Sequence, residues 1–227
     1  EGLVQSWKDI FPKKGEIYFA GALENNEDTG TLQYLASTAM EAGFSTRVLD
    51  MQALDLQNGR FFDPAGELVN RCFKLYPWEW MVDESPDGCL AEMEWLEPIW
   101  KLVMSNKAIL ATLYELFPDS PYVLPCYLSR PRSGLFCKKP VFSREGHNVS
   151  VVDIRNWEEH VRIAETEGDY NTGAYVYQEY VEPTAYSGRY PVIGSWIIGG
   201  EAAGIGIREN RMEVTDNLSE FVPHIIG

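Results

Sequence analysis

The stretch that decides the fold runs from residue 16 to residue 50 and reads EIYFAGALENNEDTGTLQYLASTAMEAGFSTRVLD. It begins with a short apolar run that ends in glycine, and it closes on FSTRVLD, which also has the composition of a strand. The part between them is amphipathic at helical spacing. A strand, a helix and a strand in this order predict a βαβ unit, and therefore a parallel sheet in the first quarter of the chain.

The helix of this unit has candidate ends and a candidate buried face. Thr29 or Thr31 is expected to cap its start, and Gly43 is expected to end it. Five residues are expected to face the core: Leu32, Leu35, Ala36, Ala39 and Met40.

The middle of the chain predicts a hairpin and then helices. The stretch FFDPAGELV, residues 61–69, has Asp63-Pro64-Ala65-Gly66 in the order of a type I turn, which predicts an antiparallel pair. A helical region is expected from residue 89 to residue 117, interrupted at Pro98 and stopped at Pro118. Proline is frequent from there to Pro131, so we expect an α/β part over residues 1–118 and a mostly β part over residues 119–227.

Strands dominate the sequence after Gly134. A short helix is possible at NWEEHVRIAET, residues 156–166. In YVYQEYV the side chains alternate, so that Gln178 and Tyr180 face one way and Glu179 the other. The expected strands lie in LFCKKPVFS, NVSVVDI, AYVYQEYV, YPVIGSWIIGG and EAAGIGIRE.

The composition excludes several classes of protein. The net charge of −15 repels phosphate backbones and argues against nucleic acid as a partner. No apolar run is long enough to span a bilayer and the first residues do not resemble a secretory signal, so no membrane partner and a cytoplasmic location are expected. The cysteines are widely separated, with no local histidine, and predict neither a zinc site nor a disulfide framework: Cys72, Cys89, Cys126 and Cys137.

Two glycine-containing segments invite a phosphate-binding interpretation. Lys139 ends a predicted strand and SREG follows at residues 143–146, so backbone N–H groups and a lysine are available to phosphates. Such a pair also flanks many ordinary hairpins. The second segment, GIGIRE, lacks the third glycine and the following helix of a dinucleotide-binding motif. We therefore expect Gly199-Gly200 to be the turn of a two-residue hairpin.

Six blocks of the sequence, in the same order, resemble the glutathionylspermidine synthetase family of ATP-dependent acid–amine ligases. The resemblance extends from about Glu1 to the last residue, and its wording is nearer to uncharacterised bacterial members than to the enzyme that gives the family its name. The blocks are FKLYPWEWM, NKAIL with LFP, KPVFSREGHNV, YVYQEYVEP, YPVIGSWIIGGEAAGIGIRE and FVPHII.

The resemblance implies a fold and a nucleotide site. The fold would be α/β and ATP-grasp-like, with a βαβ (pre-ATP-grasp) part followed by a mostly antiparallel β nucleotide-binding part. Lys74 and Lys107 resemble lysines that reach nucleotide phosphates, and Lys139 would belong to the same site. The closing loop would consist of Phe142, Ser143, Arg144, Glu145 and Gly146, and the segment that meets adenine would be Gln178, Glu179 and Tyr180.

The resemblance also implies the chemistry. ATP and Mg²⁺ would convert an acid, such as a glutathione-like peptide, to an acyl phosphate that a polyamine-like amine attacks. The metal ligands of the relatives lie in a segment ahead of the position of Glu1, so none is assigned here and catalytic residues stay unknown. On this view the 227 residues are the C-terminal portion of a longer ligase and are inactive alone. Apolar surface around Leu3, Val4 and Trp7 would then be uncovered unless a second chain or a rearrangement hides it.

Two other function classes stay open at this point. The chain could be a non-catalytic module that binds nucleotide or polyamine, which phosphate release in the presence of ATP, Mg²⁺, an acid and an amine would distinguish from a ligase. It could also bind carbohydrate or peptide through its seven tryptophans. Core packing explains four of these at least as well: Trp78, Trp80, Trp95 and Trp100.

Overall fold

A computed structural model describes residues 1–163, 166–168, 170, 173–214 and 219–225 of the chain. The chain forms two compact units. The first contains Glu1–Leu102 and Ile197–Ala203, and the second contains Val103–Trp196 and Gly204–Gly227. The sequence predicted a different kind of boundary, at which α/β composition over residues 1–118 changes to mostly β composition over residues 119–227. That division remains a prediction.

The βαβ unit is confirmed in the first unit. Strands β1 and β2 are parallel neighbours, and helix α2 connects them. A helix, α1, precedes them. The bounds are α1 Gly2–Ile10, β1 Glu16–Gly21, α2 Asn26–Glu41 and β2 Ser45–Asp50.

The start of α2 differs from the sequence prediction. Asn25 caps the helix, since its Oδ1 accepts a hydrogen bond of 2.9 Å from the N–H of Glu27. Thr29 and Thr31 therefore lie inside the helix, and their expected capping role is wrong. The helix begins early because Asn25 is followed by acidic side chains in the first turn, where the helix dipole favours negative charge.

The end of α2 follows the prediction at Gly43. This residue has φ +95°, and its N–H donates to the carbonyl of Met40 at 2.8 Å. The N–H of Phe44 donates to the carbonyl of Ala39 at 3.0 Å, which completes a Schellman motif. Glycine adopts the left-handed conformation that this motif requires without the steric cost of a Cβ.

The buried face of α2 is confirmed except at Met40, which is exposed. Each helical residue turns by about 100°, and the buried face extends from Ala39 towards Thr38 rather than towards Met40. Thr38 is buried because the Nε1 group of Trp7 in α1 donates to its hydroxyl at 2.9 Å. The other predicted members of this face are buried: Leu32, Leu35, Ala36 and Ala39.

Helix α1 packs on this core, so the expectation of uncovered apolar surface around Leu3, Val4 and Trp7 is wrong. Trp7 is buried and meets Phe19 in an edge-to-face contact. Leu3 and Val4 are partly buried against the same cluster. The amphipathic face of α1 thus finds its partner within the first unit.

The remaining elements of the first unit extend the parallel sheet and add a small antiparallel one. The parallel sheet has the order β2-β1-β6-β7, and β3, β4 and β5 form the antiparallel sheet expected around the 63–66 turn. The N–H of Gly66 donates to the carbonyl of Asp63 at 2.9 Å, which closes that turn. The bounds are β3 Asp55–Gln57, β4 Arg60–Phe62, β5 Leu68–Val69, β6 Arg71–Leu75, α3 Trp78–Glu84, α4 Pro86–Cys89 and β7 Glu94–Leu96.

The helical region expected over residues 89–117 is only partly helical. Its first half contains β7, which pairs with β6 in parallel, with Cys72 opposite Trp95. Trp95 packs edge-to-face on Phe61 and Trp78, and this burial favours the strand. A single 3-10 turn follows at Ile99–Lys101 after Pro98, and another precedes β3 at Met51–Ala53.

The second unit is built on an antiparallel sheet with the order β11-β10-β9-β12-β8. A further sheet has the order β13-β14-β15, and the end of the hairpin of its first two strands, Ile197–Ala203, belongs to the first unit. The bounds are α5 Leu102–Ser105, α6 Ala108–Leu116, β8 Cys126–Tyr127, β9 Gly134–Pro140, β10 Ser150–Arg155, β11 Glu158–Ile163, β12 Tyr175–Glu179, β13 Tyr190–Ile198, β14 Glu201–Asn210 and β15 Glu220–Val222.

The short helix considered for residues 156–166 is wrong, because the described part contains a turn followed by strand β11, Glu158–Ile163. Asn156 and Trp157 have positive φ and form the turn between β10 and β11. In the strand that follows, alternate side chains face opposite sides, and the carboxylate of Glu159 accepts a hydrogen bond of 2.6 Å from Lys138 of β9. This contact outweighs the helical propensity of the segment. Residues 164 and 165 lie outside the described residues.

The two glycines after β13 have the predicted role. Gly199 and Gly200 have φ of +61° and +87° and connect β13 directly to β14. Positive φ at both positions suits a two-residue hairpin turn of type I′. The GIGIRE segment is part of β14 and forms no phosphate loop. In the described part of the chain, no helix is long and apolar enough to cross a membrane.

Candidate functional site

A cavity of about 300 Å³ lies within the second unit. Its wall combines the start of α6, strands β9 and β10, the loop between them, the end of β12 and the turn after β14. This size is at the lower end for small-molecule sites. The lining residues are Lys107, Cys137, Lys139, Ser143, Arg144, Glu145, Gly146, Val149, Val151, Tyr180, Glu213 and Val214.

Lys107 connects the start of α6 to the loop after β9. Its backbone N–H donates to the carbonyl of Val141 at 2.8 Å. Its Nζ donates to the carbonyl and to the hydroxyl of Ser143, the latter at 2.9 Å. The ammonium group is thereby held at the cavity by neutral oxygen acceptors of the loop.

Lys139 comes from the middle of the sheet. Its Nζ donates to Oε1 of Gln178 on the adjacent strand β12 at 2.7 Å. Since the amide oxygen of Gln178 accepts from Lys139, the NH₂ group of the same amide is directed elsewhere and can act as a donor. Burial raises the pKa of the neighbouring Cys137 thiol, although the positive charge of Lys139 opposes this shift.

The loop expected to close over phosphates has a defined conformation. Glu145 and Gly146 have φ of +55° and +75°. The carbonyl of Gly146 accepts from the hydroxyl of Thr166, and the same hydroxyl accepts from the N–H of Val149 at 2.9 Å. These bonds fix the end of the loop, while Lys107 holds its start at Ser143.

Most of the predicted site residues meet at this cavity. Tyr180 lies in the wall, and Gln178 reaches it through its bond to Lys139. Glu179 lies on the opposite face of β12, as the alternation predicted, and its N–H donates to the carbonyl of Pro125 at 2.8 Å. Phe142 leads into the loop without belonging to the wall. The predicted members of the wall are Lys107, Lys139, Ser143, Arg144, Glu145, Gly146 and Tyr180.

Lys74 is placed differently, because β6 belongs to the first unit. Its side chain is buried, its Nζ donates to the carbonyl of Tyr76 at 2.7 Å, and it lies 3.9 Å from the centre of the Trp78 ring. These contacts explain how a charged group is accommodated there. Its convergence with Lys107 on one nucleotide remains a prediction.

Glu213 is a cavity residue that sequence reasoning missed. It follows β14, and its carboxylate accepts a hydrogen bond from the hydroxyl of Tyr180. Burial raises the pKa of Tyr180, and the bond to Glu213 raises it further, so the hydroxyl stays protonated and donates. A single glutamate in an acidic chain carries no pattern that would single it out.

The donor set of the cavity fits phosphate and does not by itself fit a metal. Lys107, Lys139 and Arg144 bring three basic side chains to a cavity of a strongly acidic protein. Its carboxylates are Glu145 and Glu213, and the second already accepts from Tyr180. Among the described residues, no group of three or more His, Cys, Asp or Glu side chains is arranged to hold a metal ion.

A larger concavity of about 740 Å³ lies in the first unit, at the amino ends of the parallel strands. Ligands of open α/β sheets bind at the carboxyl ends. Three of its charged side chains are in the ion pairs of Arg71 with Glu94 at 2.6 Å and of Glu16 with Arg47 at 2.9 Å. Size alone therefore does not make it the candidate site.

Comparison with known proteins identifies one family and several relatives. A family model described as glutathionylspermidine synthase preATP-grasp matches residues 1–227. A Haemophilus influenzae protein named "Putative acid–amine ligase" is 36% identical over 99% of this chain and 60% of its own length. The bifunctional glutathionylspermidine synthetase/amidase of Escherichia coli is 26% identical over 88% of this chain and 36% of its own length.

A solved structure supports the architecture. The crystal structure of a D-cycloserine synthetase superimposes with a TM-score of 0.51 at 14% identity, covering 86% of this chain and 68% of that one. At this identity the likeness shows the fold alone. Together with the family match, this likeness confirms the expected ATP-grasp-like α/β fold. The chain spans about 60% of the length of the Haemophilus relative.

Proposed function

From the premise that the chain belongs to the glutathionylspermidine synthase preATP-grasp family, we propose that it is the nucleotide-binding portion of an ATP-dependent carboxylate–amine ligase. The relatives named above are ligases or synthetases by name. The observation that carries the proposal is the meeting of Lys107, Lys139 and the 143–146 loop at one cavity of the second unit.

The proposed reaction has two steps. An oxygen of the acid's carboxylate attacks the γ-phosphorus of ATP, ADP leaves, and an acyl phosphate forms. The amine nitrogen then attacks the acyl carbon, inorganic phosphate leaves, and the nitrogen loses a proton as the amide forms. Activation is needed because a free carboxylate is a poor electrophile, and phosphoryl transfer depends largely on positioning and charge stabilisation.

The residues of the cavity suit the first step. Lys107 and the loop from Ser143 to Gly146 would hold the transferring phosphoryl group, with the ammonium exchanging Ser143 for phosphate oxygens. Lys139 would neutralise the remaining phosphates, and Gln178 to Tyr180 would meet the adenine through backbone groups and the Gln178 amide. The NH₂ group of that amide is available because Lys139 orients its oxygen.

The substrates and the metal belong to the same proposal. The name of the Escherichia coli relative suggests a glutathione-like acid and a polyamine-like amine. Mg²⁺ would accompany ATP in this reaction, and we assign none of its ligands to the described residues of this chain. The alternative, a non-catalytic module that binds nucleotide or polyamine, would bind at the same cavity and form no amide.

Replacement of Lys107 tests the nucleotide assignment. We expect Lys107→Ala to weaken ATP binding by about tenfold or more, since a charge-assisted hydrogen bond contributes roughly 1.5–3 kcal/mol. Ligand-observed NMR titration of the chain with ATP measures this, including at weak affinity. Thermal unfolding of the variant should match that of the wild type, because the lysine lies at a cavity rather than in a core.

The matched control is Lys138→Gln, which removes the neighbouring lysine on the other face of β9. Lys138 pairs with Glu159 at 2.6 Å and does not line the cavity. The assignment of Lys107 to the nucleotide would be contradicted if ATP affinity were unchanged in Lys107→Ala, or if it were reduced equally in both variants. Phosphate release in the presence of ATP, Mg²⁺, an acid and an amine distinguishes a ligase from a binding module.

A further inference from the structure

The segment that begins at Thr166 packs along the end of the loop that follows β9. The N–H of Thr166 donates to the carbonyl of Val149 at 3.0 Å, and its carbonyl accepts from the N–H of Asn148 at 3.1 Å. The N–H of Tyr170 donates to Oδ1 of Asn148 at 2.9 Å, and the rings of Tyr170 and His147 lie 5.9 Å apart. Backbone and side-chain contacts therefore join this segment to the chain just before β10.

The hydroxyl of Thr166 adds a bridge across the end of the loop. It accepts from the N–H of Val149 at 2.9 Å and donates to the carbonyl of Gly146. Gly146 has φ +75°, so the chain turns there. The bridge thus connects the last residue of the 143–146 loop to the residue that directly precedes β10. Thr166 itself does not line the cavity.

Gly168 allows the two segments to approach closely. A Cβ at this position would overlap with the Cβ of His147 and would lie 2.9 Å from Oδ1 of Asn148. Any larger residue would therefore push the segment away from the loop. Gly168 and the hydroxyl of Thr166 thus maintain the same contact, and each can be changed separately.

The two ends of the loop are held in different ways. Its start is held by Lys107, whose Nζ donates to the hydroxyl of Ser143 at 2.9 Å. In the proposed function this ammonium exchanges Ser143 for phosphate oxygens, so the contact at the start is given up when ATP binds. Thr166 donates to the carbonyl of Gly146, an acceptor that phosphate oxygens cannot use, so the contact at the end persists.

We infer that Thr166 is a positioning residue that keeps the 143–146 loop over the phosphates of the bound nucleotide. This inference rests on the proposed function, since it requires the cavity to bind ATP. The loop is a surface segment in which Arg144 and Glu145 are exposed, and such segments open at little cost in free energy. A bridge of two hydrogen bonds at one end therefore changes how often the loop is open.

The first measurement is cleavage of the full chain by trypsin after Arg144, which requires the loop to open. Thr166→Val removes both hydroxyl bonds and keeps the size of the side chain. We expect it to speed this cleavage about fivefold, since cleavage follows the population of the open form. Thr166→Ser should behave as the wild type, and Gly168→Ala should also speed cleavage. Cleavage after Lys13, in the exposed loop between α1 and β1, is the internal reference.

The second measurement is the preference for ATP over AMP, which has the same base and ribose but lacks the β- and γ-phosphates. NMR titration gives this preference as a ratio within each variant, so a general loss of affinity or stability cancels from it. We expect the ratio to fall about threefold in Thr166→Val, because apparent affinity falls with the fraction of molecules whose loop is closed. Thr166→Ser should restore it. Thr184→Val makes the same change at an exposed position and should leave both measurements unchanged.

The two measurements separate the inference from the proposed function. Equal cleavage after Arg144 in wild type and Thr166→Val, relative to cleavage after Lys13, overturns the inference and leaves the proposed function untouched. Faster cleavage with an unchanged preference for ATP makes Thr166 a purely structural residue and also overturns the inference alone. A wild type that does not bind ATP overturns the proposed function, and the inference with it, whatever the cleavage rates are.

Discussion

Asp63 is a buried, charged residue whose carboxylate accepts hydrogen bonds from the backbone. Its Oδ1 accepts from the N–H groups of Ala65 and Glu67, both at 2.9 Å, and its Oδ2 pairs with Arg47 at 2.7 Å. These contacts lower its pKa, with the bond from Glu67 as the largest cause. The side chain closes the turn between β4 and β5 and connects it to β2 through Arg47.

We expect Asp63→Asn to destabilise the protein at neutral pH and to do so less as the pH falls. A carboxyl whose pKa is lower in the folded state contributes stability above its unfolded pKa of about 3.9, and this stability is lost as the pH falls through the folded value. Urea unfolding at several pH values between about 3 and 7 measures it.

The exposed Asp119 provides the control for the charge change alone, through Asp119→Asn. A difference between wild type and Asp63→Asn that stays constant down to about pH 3 would show that the charge of Asp63 does not act as described. A difference that grows on acidification would reverse the sign of the argument.

Single residues also show what the sequence could and could not predict about the site. Lys107, Lys139 and the 143–146 loop were indicated by the family blocks in which they occur. Glu213 and Cys137 were not, because their place depends on contacts between segments far apart in the chain, such as Tyr180 with Glu213. No local periodicity encodes such a contact.

At the scale of elements, a glycine-to-alanine substitution is expected to destabilise the protein at the end of α2 and to stabilise it inside the same helix. Gly43 has φ +95°, and a Cβ there would lie 3.3 Å from Nζ of Lys14. Gly43→Ala should therefore cost about 1–2 kcal/mol, the usual penalty for a Cβ in the left-handed region. Gly30 lies inside the helix with open space around it, and Gly30→Ala should stabilise by about 0.5–1 kcal/mol.

Urea unfolding of the two variants gives both values under one condition. Each variant is the control for the other, because both add one methyl group to the same helix. Equal effects at the two positions would show that backbone conformation at Gly43 does not decide how α2 ends. A stabilising Gly43→Ala would contradict the Schellman motif as the reason for this glycine.

The elements that the sequence missed are short or polar. Strand β7 has three residues in a stretch rich in glutamate, and it forms because Trp95 packs on Phe61 and Trp78. Strand β11 has helix-like composition and lies at the edge of its sheet, where pairing with β10 determines its conformation. The βαβ unit and the hairpin at Gly199-Gly200 were predictable, because periodicity and turn residues are local signals.

At the scale of the whole molecule, each compact unit has hydrophobic clusters of its own. Trp7, Phe19 and Leu32 belong to a cluster of the first unit, and Val152 and Tyr177 belong to one of the second. Separate cores imply that each unit has a stability of its own. The sequence indicated where α/β composition changes to mostly β composition. It did not indicate the clusters, because these depend on which side chains are buried, and composition does not reveal burial.

We therefore expect a core substitution to act mainly on its own unit. Thr38→Val leaves the buried Nε1 of Trp7 without its acceptor and should cost about 1–3 kcal/mol in the first unit. Val152→Ala removes two methyl groups from a fully buried position and should cost about 2 kcal/mol in the second. Hydrogen exchange, followed peptide by peptide, should show faster exchange in β1 and α2 for the first variant, and in β9, β10 and β12 for the second.

Thr38→Ser is the control, since it keeps the hydroxyl that Trp7 requires. If either variant accelerated exchange equally in both sets of strands, the two units would unfold as one, and the separate clusters would not be independent sources of stability.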